Sequence, residues 1–246
     1  MARGIRRRGQ GGPSLEDQIA RESERRPGAR TRAEVTPPSG RHPALPTTSA
    51  TVLAVDLDAL VTLASREQLV IALERRVGSF AIAATPLLSW WSATEAVPSE
   101  EEERRLDEAA LRAVTLGPGP AGDVDSRLRA LARDGTLDAL ASALALLARL
   151  PDPPAAFHDA AGFLRVIVPE SPFERRLEVL AEVADLARAL ELLRDCAYTA
   201  TLPRRRAAIA SMAARVLATG GSAPEARREA LAEAVDAALE KRWTVL

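Results

Sequence analysis

From residue 51 onward, apolar residues recur three and four positions apart over most of the chain, the spacing that lines one face of a helix. Leu53, Leu57, Leu60, Val61 and Ala64 form the first such row. Ser65-x-x-Gln68 has the form of a capping box and predicts a second helix. Leu69, Leu73 and Val77 would lie along its face, with the row continuing to Phe80 and Ala84. Ser99-x-x-Glu102 opens a third helix carrying Leu106, Ala110 and Val114, and the Gly-Pro-Gly-Pro run at 117–120 ends it. Segments 123–133 and 136–150 read as a helical hairpin about Asp134-Gly135, with Leu137, Leu140, Leu144 and Leu147 as its core stripe. Beyond the prolines of 151–154, Phe157, Ala161, Leu164 and Val168 predict a further helix.

The longest helix is expected at 172–198, with Ser171 as N-cap, Pro172 at the first position and Glu174 near its start. One stripe runs Val179, Val183, Leu186, Leu190, Leu193, Ala197, and a second runs Phe173, Leu177, Leu180, Ala184, Ala187. Two stripes cover about half the circumference, so this helix should organise its neighbours. Helices at 203–218 and 223–243 follow, the first ended by Gly220-Gly221 and the second opened by Ser222-x-x-Glu225. The pattern predicts an all-α, irregular multi-helix bundle over 51–246, with an α-solenoid-like stack of helix pairs as the alternative.

Residues 1–50 read as a disordered Arg/Pro-rich tail that folding does not need. Within it, Ser14 could cap one short helix whose apolar pair is Leu15 and Ile19. Five prolines fall in 27–48, which leaves little to bury. The opening ARGIRRRGQGG has arginines but no apolar run behind them, so no secretory leader is expected.

The run 77–94, VGSFAIAATPLLSWWSAT, changes the picture because it holds no charge in a chain that is 27% charged. Its length would admit a membrane span, with Arg75-Arg76 at one end and Trp90-Trp91 at the other. Its serines, threonines and Pro86 argue instead for a helix that bends and returns into a soluble core. A partly exposed patch that binds a partner is the third reading.

Composition supports helix: aromatics are only 3%, and Ala, Leu and Arg dominate. Residues 1–46 carry ten arginines against five acids, and the remainder 23 bases against 29 acids. The folded part is therefore mildly acidic, which disfavours broad nucleic-acid binding by it. A single cysteine, Cys196, excludes an intramolecular disulfide and fits a reducing compartment.

Little in the chain resembles catalytic machinery. VLAVDLDALVT at 52–62 resembles the opening of haloacid-dehalogenase-type phosphatases, an apolar run followed by Asp56-x-Asp58. That family carries Thr or Val two residues after the second aspartate, where Leu60 stands here. His158-Asp159 resembles the dyad of metal phosphohydrolases, which need further histidines, and His42 is the only other one. No catalytic, cofactor or metal site is expected.

Arg204-Arg205-Arg206 falls in the first turn of its helix, where the dipole disfavours cations. Such a triplet suggests an acidic partner, in this chain or another. Adjacent residues on a helix point about 100° apart, so one of Trp90 and Trp91 should reach the surface. Trp243, near the C-terminal end, is a third candidate anchor. The reading is a cytoplasmic, non-enzymatic protein–protein interaction module, an adaptor or scaffold. Its candidate partner-binding residues are Trp90, Trp91, Trp243, Arg204, Arg205 and Arg206, and the occupant is another protein or a second copy. The alternative is a nucleic-acid-associated regulator using the arginine-rich tail, Arg6–Arg8 included. Contact with a membrane is not expected.

Overall fold

A computed structural model describes residues 13–24, 26–31, 36–94, 97–119, 122–219 and 224–242. It is a mixed α/β protein, which corrects both the all-α bundle and the α-solenoid alternative. The order is α1 (Leu15–Glu22), β1 (Ala29–Arg30), β2 (His42–Ala44), β3 (Ala50–Val55), α2 (Leu57–Arg66), β4 (Leu69–Leu73), β5 (Phe80–Ala81) and β6 (Leu88–Ser92). Then come α3 (Glu100–Arg112), β7 (Val114–Gly117), α4 (Val124–Arg133), α5 (Leu137–Arg149), β8 (Ala156–His158) and β9 (Leu164–Ile167). The chain closes with α6 (Phe173–Leu177), α7 (Leu186–Thr199), α8 (Pro203–Ala218) and α9 (Glu225–Leu239).

Six strands form one sheet in the order β1-β8-β9-β4-β6-β2, antiparallel except for β4 beside β9. A second, antiparallel sheet has the order β5-β3-β7. Two large cores result. Leu60, Ile71, Leu88, Trp90, Leu106 and Val166 belong to the one between the sheets, α2 and α3. Leu128, Leu144, Phe173, Leu190, Ile209 and Val235 belong to the helical one.

Helices whose ends are written locally fall where the pattern puts them. Ser99 and Glu102 make both arms of a capping box at α3, Asp123 caps α4, and α8 spans Pro203–Ala218. The errors lie where a sheet decides. All five residues of β4 are buried, so the strand shows no alternation that would reveal it. Gln68 adopts a left-handed conformation (φ 53°) between α2 and β4, so Ser65-x-x-Gln68 ends a helix rather than starting one. The expected helix through Phe157 and Val168 is a hairpin. The Asp159 carboxylate accepts from the backbone N–H of Ala161 (3.0 Å) and Phe163 (2.9 Å), and Gly162 takes φ 86°. The long helix at 172–198 is interrupted: a 3-10 segment spans Glu178–Glu182, and Asp185 caps α7 afresh. Leu53 lies in β3, and the uncharged run 77–94 supplies β5 and β6 rather than a bent helix.

For the described residues of 13–50 the expected disorder is also corrected. Ser14 does cap α1, and Leu15 and Ile19 are buried in the helical core. β1 pairs with β8 and β2 with β6, so residues within 13–50 belong to both layers.

Candidate functional site

Where α1, the start of α2, the β4–β5 turn and the loop before α6 meet, the surface opens into a cleft of about 660 Å³. Val52, Val55, Leu57, Leu73, Phe157 and Val168 give it an apolar lining. Arg21, Arg26, Arg76, Arg127 and Arg176 line it as well, against the carboxylates of Glu22 and Glu24. Gly78, at the turn, has φ 89°, and a Cβ there would come within 2.7 Å of the Asp123 backbone nitrogen. Only glycine lets the two segments approach this closely.

A hydrogen-bonded network holds two of these arginines. Arg76 donates from Nη1 to Asp125 (2.7 Å) and to the Ser171 hydroxyl (2.9 Å), and from Nη2 to the Glu170 carbonyl. Arg176 donates from Nε to Asp125 (2.9 Å) and Ser171 (3.1 Å), and from Nη2 to Glu22. The Arg176 side chain is only 2% exposed, and its Nη1 is buried without a hydrogen-bond partner. Buried polar atoms are almost always satisfied, so an orphaned nitrogen in a residue that lines the cleft calls for an acceptor.

Position along the chain explains the assembly. Asp125 sits in the first turn of α4, where the helix dipole favours a carboxylate. Burial works to raise its carboxyl, but the charges of Arg176 and Arg76 outweigh burial and hold it below the usual range. Glu22, on the last turn of α1, goes the other way: burial pushes its carboxyl up despite the pull of Arg176. The two acids of one network are thus displaced in opposite directions.

None of these residues was among the candidates drawn from the sequence. Arg76 figured only as a flank of the uncharged run. A signal did exist at Arg176, which follows Phe173 by three residues and precedes Leu177, and so stands on a buried face.

The described ones among the six expected residues do not converge. Trp90 is buried (2% exposed), donates from Nε1 to Asp107 (2.8 Å) and lies 4.7 Å from the His42 ring. Trp91 is partly buried on the opposite face, packed with Val70, Ala72 and Ile167. The strand pleat, not a helical turn, separates the pair. Trp243 and Arg6–Arg8 lie outside the described residues. At the start of α8, Arg204 and Arg205 both pair with Asp152 of the same chain, and Arg206 is half-buried.

The residues of the two resemblances are occupied structurally. Asp56 caps α2 through the Ala59 N–H (2.9 Å), and the strand before it lies in an antiparallel sheet. His158 faces the Gly28 carbonyl through Nδ1 (3.0 Å). The hydrogen bond from Arg165 (2.7 Å) holds the Asp159 carboxyl at about 2. Cys196 is fully buried, which pushes its thiol well above the usual range. Among the described residues no group of three or more His, Cys, Asp and Glu side chains could hold a metal.

No curated protein and no solved structure matches the chain. Among the described residues no helix is long and apolar enough to cross a membrane. A family described as "Predicted membrane protein (DUF2254)" matches residues 7–131, which include Glu22, Arg76 and Asp125 but not Ser171 or Arg176. That description overturns the cytoplasmic assignment. With just over half of its length matched, the chain belongs to the DUF2254 family of predicted membrane proteins.

Proposed function

We propose that this chain is a binding module whose cleft takes a small anionic amphiphile, with an acidic head on the arginines and an apolar tail along Val55, Leu57 and Leu73. The observation that carries this reading is the buried, unpaired Nη1 of Arg176, a residue that lines a cleft lined by apolar side chains as well. Ligand sites are typically apolar concavities with a few placed polar groups, and the volume lies within their usual range. A carboxylate or phosphate oxygen would satisfy the orphaned donor, and five arginines against two glutamates favour a negative head. Binding rather than catalysis is favoured because Asp56, Asp159 and His158 are committed to capping, ion pairing and backbone contacts.

Calorimetric titration with octanoate, octyl phosphate and neutral octanol tests the reading and separates the two head groups. A charge-assisted hydrogen bond is worth about 1.5–3 kcal/mol, so an anion should bind roughly 10- to 100-fold more tightly than octanol. Arg176→Met should abolish the preference. Because that change strands two carboxylates, Leu57→Trp provides a second test by crowding the apolar end while leaving the ion network intact. Equal binding of all three probes, or binding indifferent to both variants, would show that the cleft is not the site.

A further inference from the structure

The three strands of the smaller sheet come from three uncharged stretches of sequence. Residues 43–55, 77–94 and 113–122 contain no Asp, Glu, Lys or Arg, and they contribute β3, β5 and β7. A sheet with one solvated face ordinarily carries charged or polar residues there. Here the outward positions are uncharged and, Thr115 apart, carry no exposed polar side chain in the strands. Phe80, in β5, and Ile82, just beyond its end, are each 53% exposed on either side of the buried Ala81. Leu45, Leu53 and Val77 are 40–43% exposed on the segments laced to them. The Gly78 N–H donates to the Val52 carbonyl (2.7 Å), the Val52 N–H to Ser79 (3.0 Å) and the Ala84 N–H to Pro46 (3.0 Å). Large apolar side chains gathered on one exposed region mark a contact surface rather than scattered surface residues.

We infer that this sheet edge, centred on Phe80 and Ile82, docks peripherally on the surface of a lipid bilayer. Three observations select a bilayer over a protein. The family is one of predicted membrane proteins, while no described helix is long and apolar enough to cross a membrane. Lipid penalises charge of either sign, and all three stretches lack both signs; a protein interface keeps a polar rim. Leu53 and Val77 also line the cleft, so the exposed apolar surface runs into its mouth. An amphiphile could then pass between bilayer and cleft without its tail crossing water. The docking surface rests on the uncharged sheet and goes beyond the cleft reading.

The test is co-sedimentation of the full chain with vesicles of phosphatidylcholine, alone and with a quarter of phosphatidylglycerol, at physiological salt. The wild type should pellet with both. F80S/I82S exchanges only exposed side chains and should weaken binding by about tenfold or more, from the transfer free energy of two large apolar groups. Phe80→Trp should keep binding, and its added emission should shift to the blue and be quenched by brominated lipid. R176M and L57W should bind vesicles as the wild type does, which separates this proposal from the cleft reading. Wild-type chain left in the supernatant with both compositions would overturn it. So would F80S/I82S pelleting as well as the wild type, which would assign binding to the arginines. A dimer in sedimentation velocity that F80S/I82S dissociates, without vesicle binding, would make the surface a contact between copies.

Discussion

Arg205 reaches from the first turn of α8 to the carboxylate of Asp152, with Nη2 and Oδ1 2.7 Å apart and both side chains buried. Nη1 of the same arginine donates to the Leu147 carbonyl near the end of α5 (2.7 Å), and its guanidinium lies 5.2 Å from the centre of the Phe173 ring. Asp152 also accepts from the Phe173 N–H (3.3 Å), which ties the start of α6 into the same point. A cation in the first turn of a helix costs a few tenths of a kcal/mol, whereas removing one partner of a buried pair costs about 3–5 kcal/mol. The pair therefore decides the position. Asp152→Asn should destabilise the fold by about 3–5 kcal/mol in urea unfolding. Arg204→Gln, from a side chain 44% exposed, should cost under about 1 kcal/mol. If Asp152→Asn also cost under about 1 kcal/mol, the junction would be dispensable.

The buried acids of the cleft network and of the α8 junction predict a pH dependence with two opposing parts. Asp125 and Asp152 are held below their ordinary 3.8, although burial alone would raise both. Their contribution is present above that value and is lost as pH falls through the folded value. Glu22 is raised above its ordinary 4.5, first by burial. Its contribution is complete below 4.5 and is lost as pH rises through its folded value. Glu22→Gln should therefore remove a loss of stability that the wild type shows on going from acid toward neutral pH. Urea unfolding at a series of pH values checks this. An unchanged pH profile would mean that Glu22 titrates alike in the folded and unfolded chain.

Ile19 is fully buried in the helical core although it lies in a stretch that composition assigns to a dispensable tail. Ile19→Ala should cost about 2–5 kcal/mol, and removal of residues 1–24 at least as much. Thermal unfolding of the truncated chain within a degree or two of the full chain would contradict the docking of α1.

Leu186 and Leu190 share one stripe in the sequence, but the structure separates their weights. Leu190 is fully buried in α7, whereas Leu186, at its first turn, is only partly buried. Leu190→Ala should cost about 2–5 kcal/mol, and Leu186→Ala clearly less. Equal losses in chemical denaturation would show that the 172–198 stripe acts as one helix after all.

Short-range chemistry was legible in the sequence. A capping box such as Ser99–Glu102, the proline at the first position of α8 and the Asp134-Gly135 turn each act within four residues, so α3, α4, α5 and α8 lie close to where the pattern places them. The strands were hidden because their period is a tertiary property. β4 is covered on both faces, so its sequence does not alternate, and the spacing Phe157, Ala161, Leu164, Val168 satisfies a helix although a hairpin forms. The lack of charge in 77–94 could be read directly, but not its cause, because one uncharged run fits a core strand, a span and an exposed edge equally well. Pairing of β5 with β3 leaves Phe80 exposed, with Ile82 exposed just beyond the strand, and pairing of β6 with β4 and β2 buries Leu88 and Trp90. The cleft network joins Glu22, Arg76, Asp125, Ser171 and Arg176, up to 154 positions apart in the chain. No local pattern specifies such contacts; only the packing of α1 on α4, with the turn after β4 and the loop before α6 brought alongside, gathers those charges and leaves the Arg176 Nη1 without a partner.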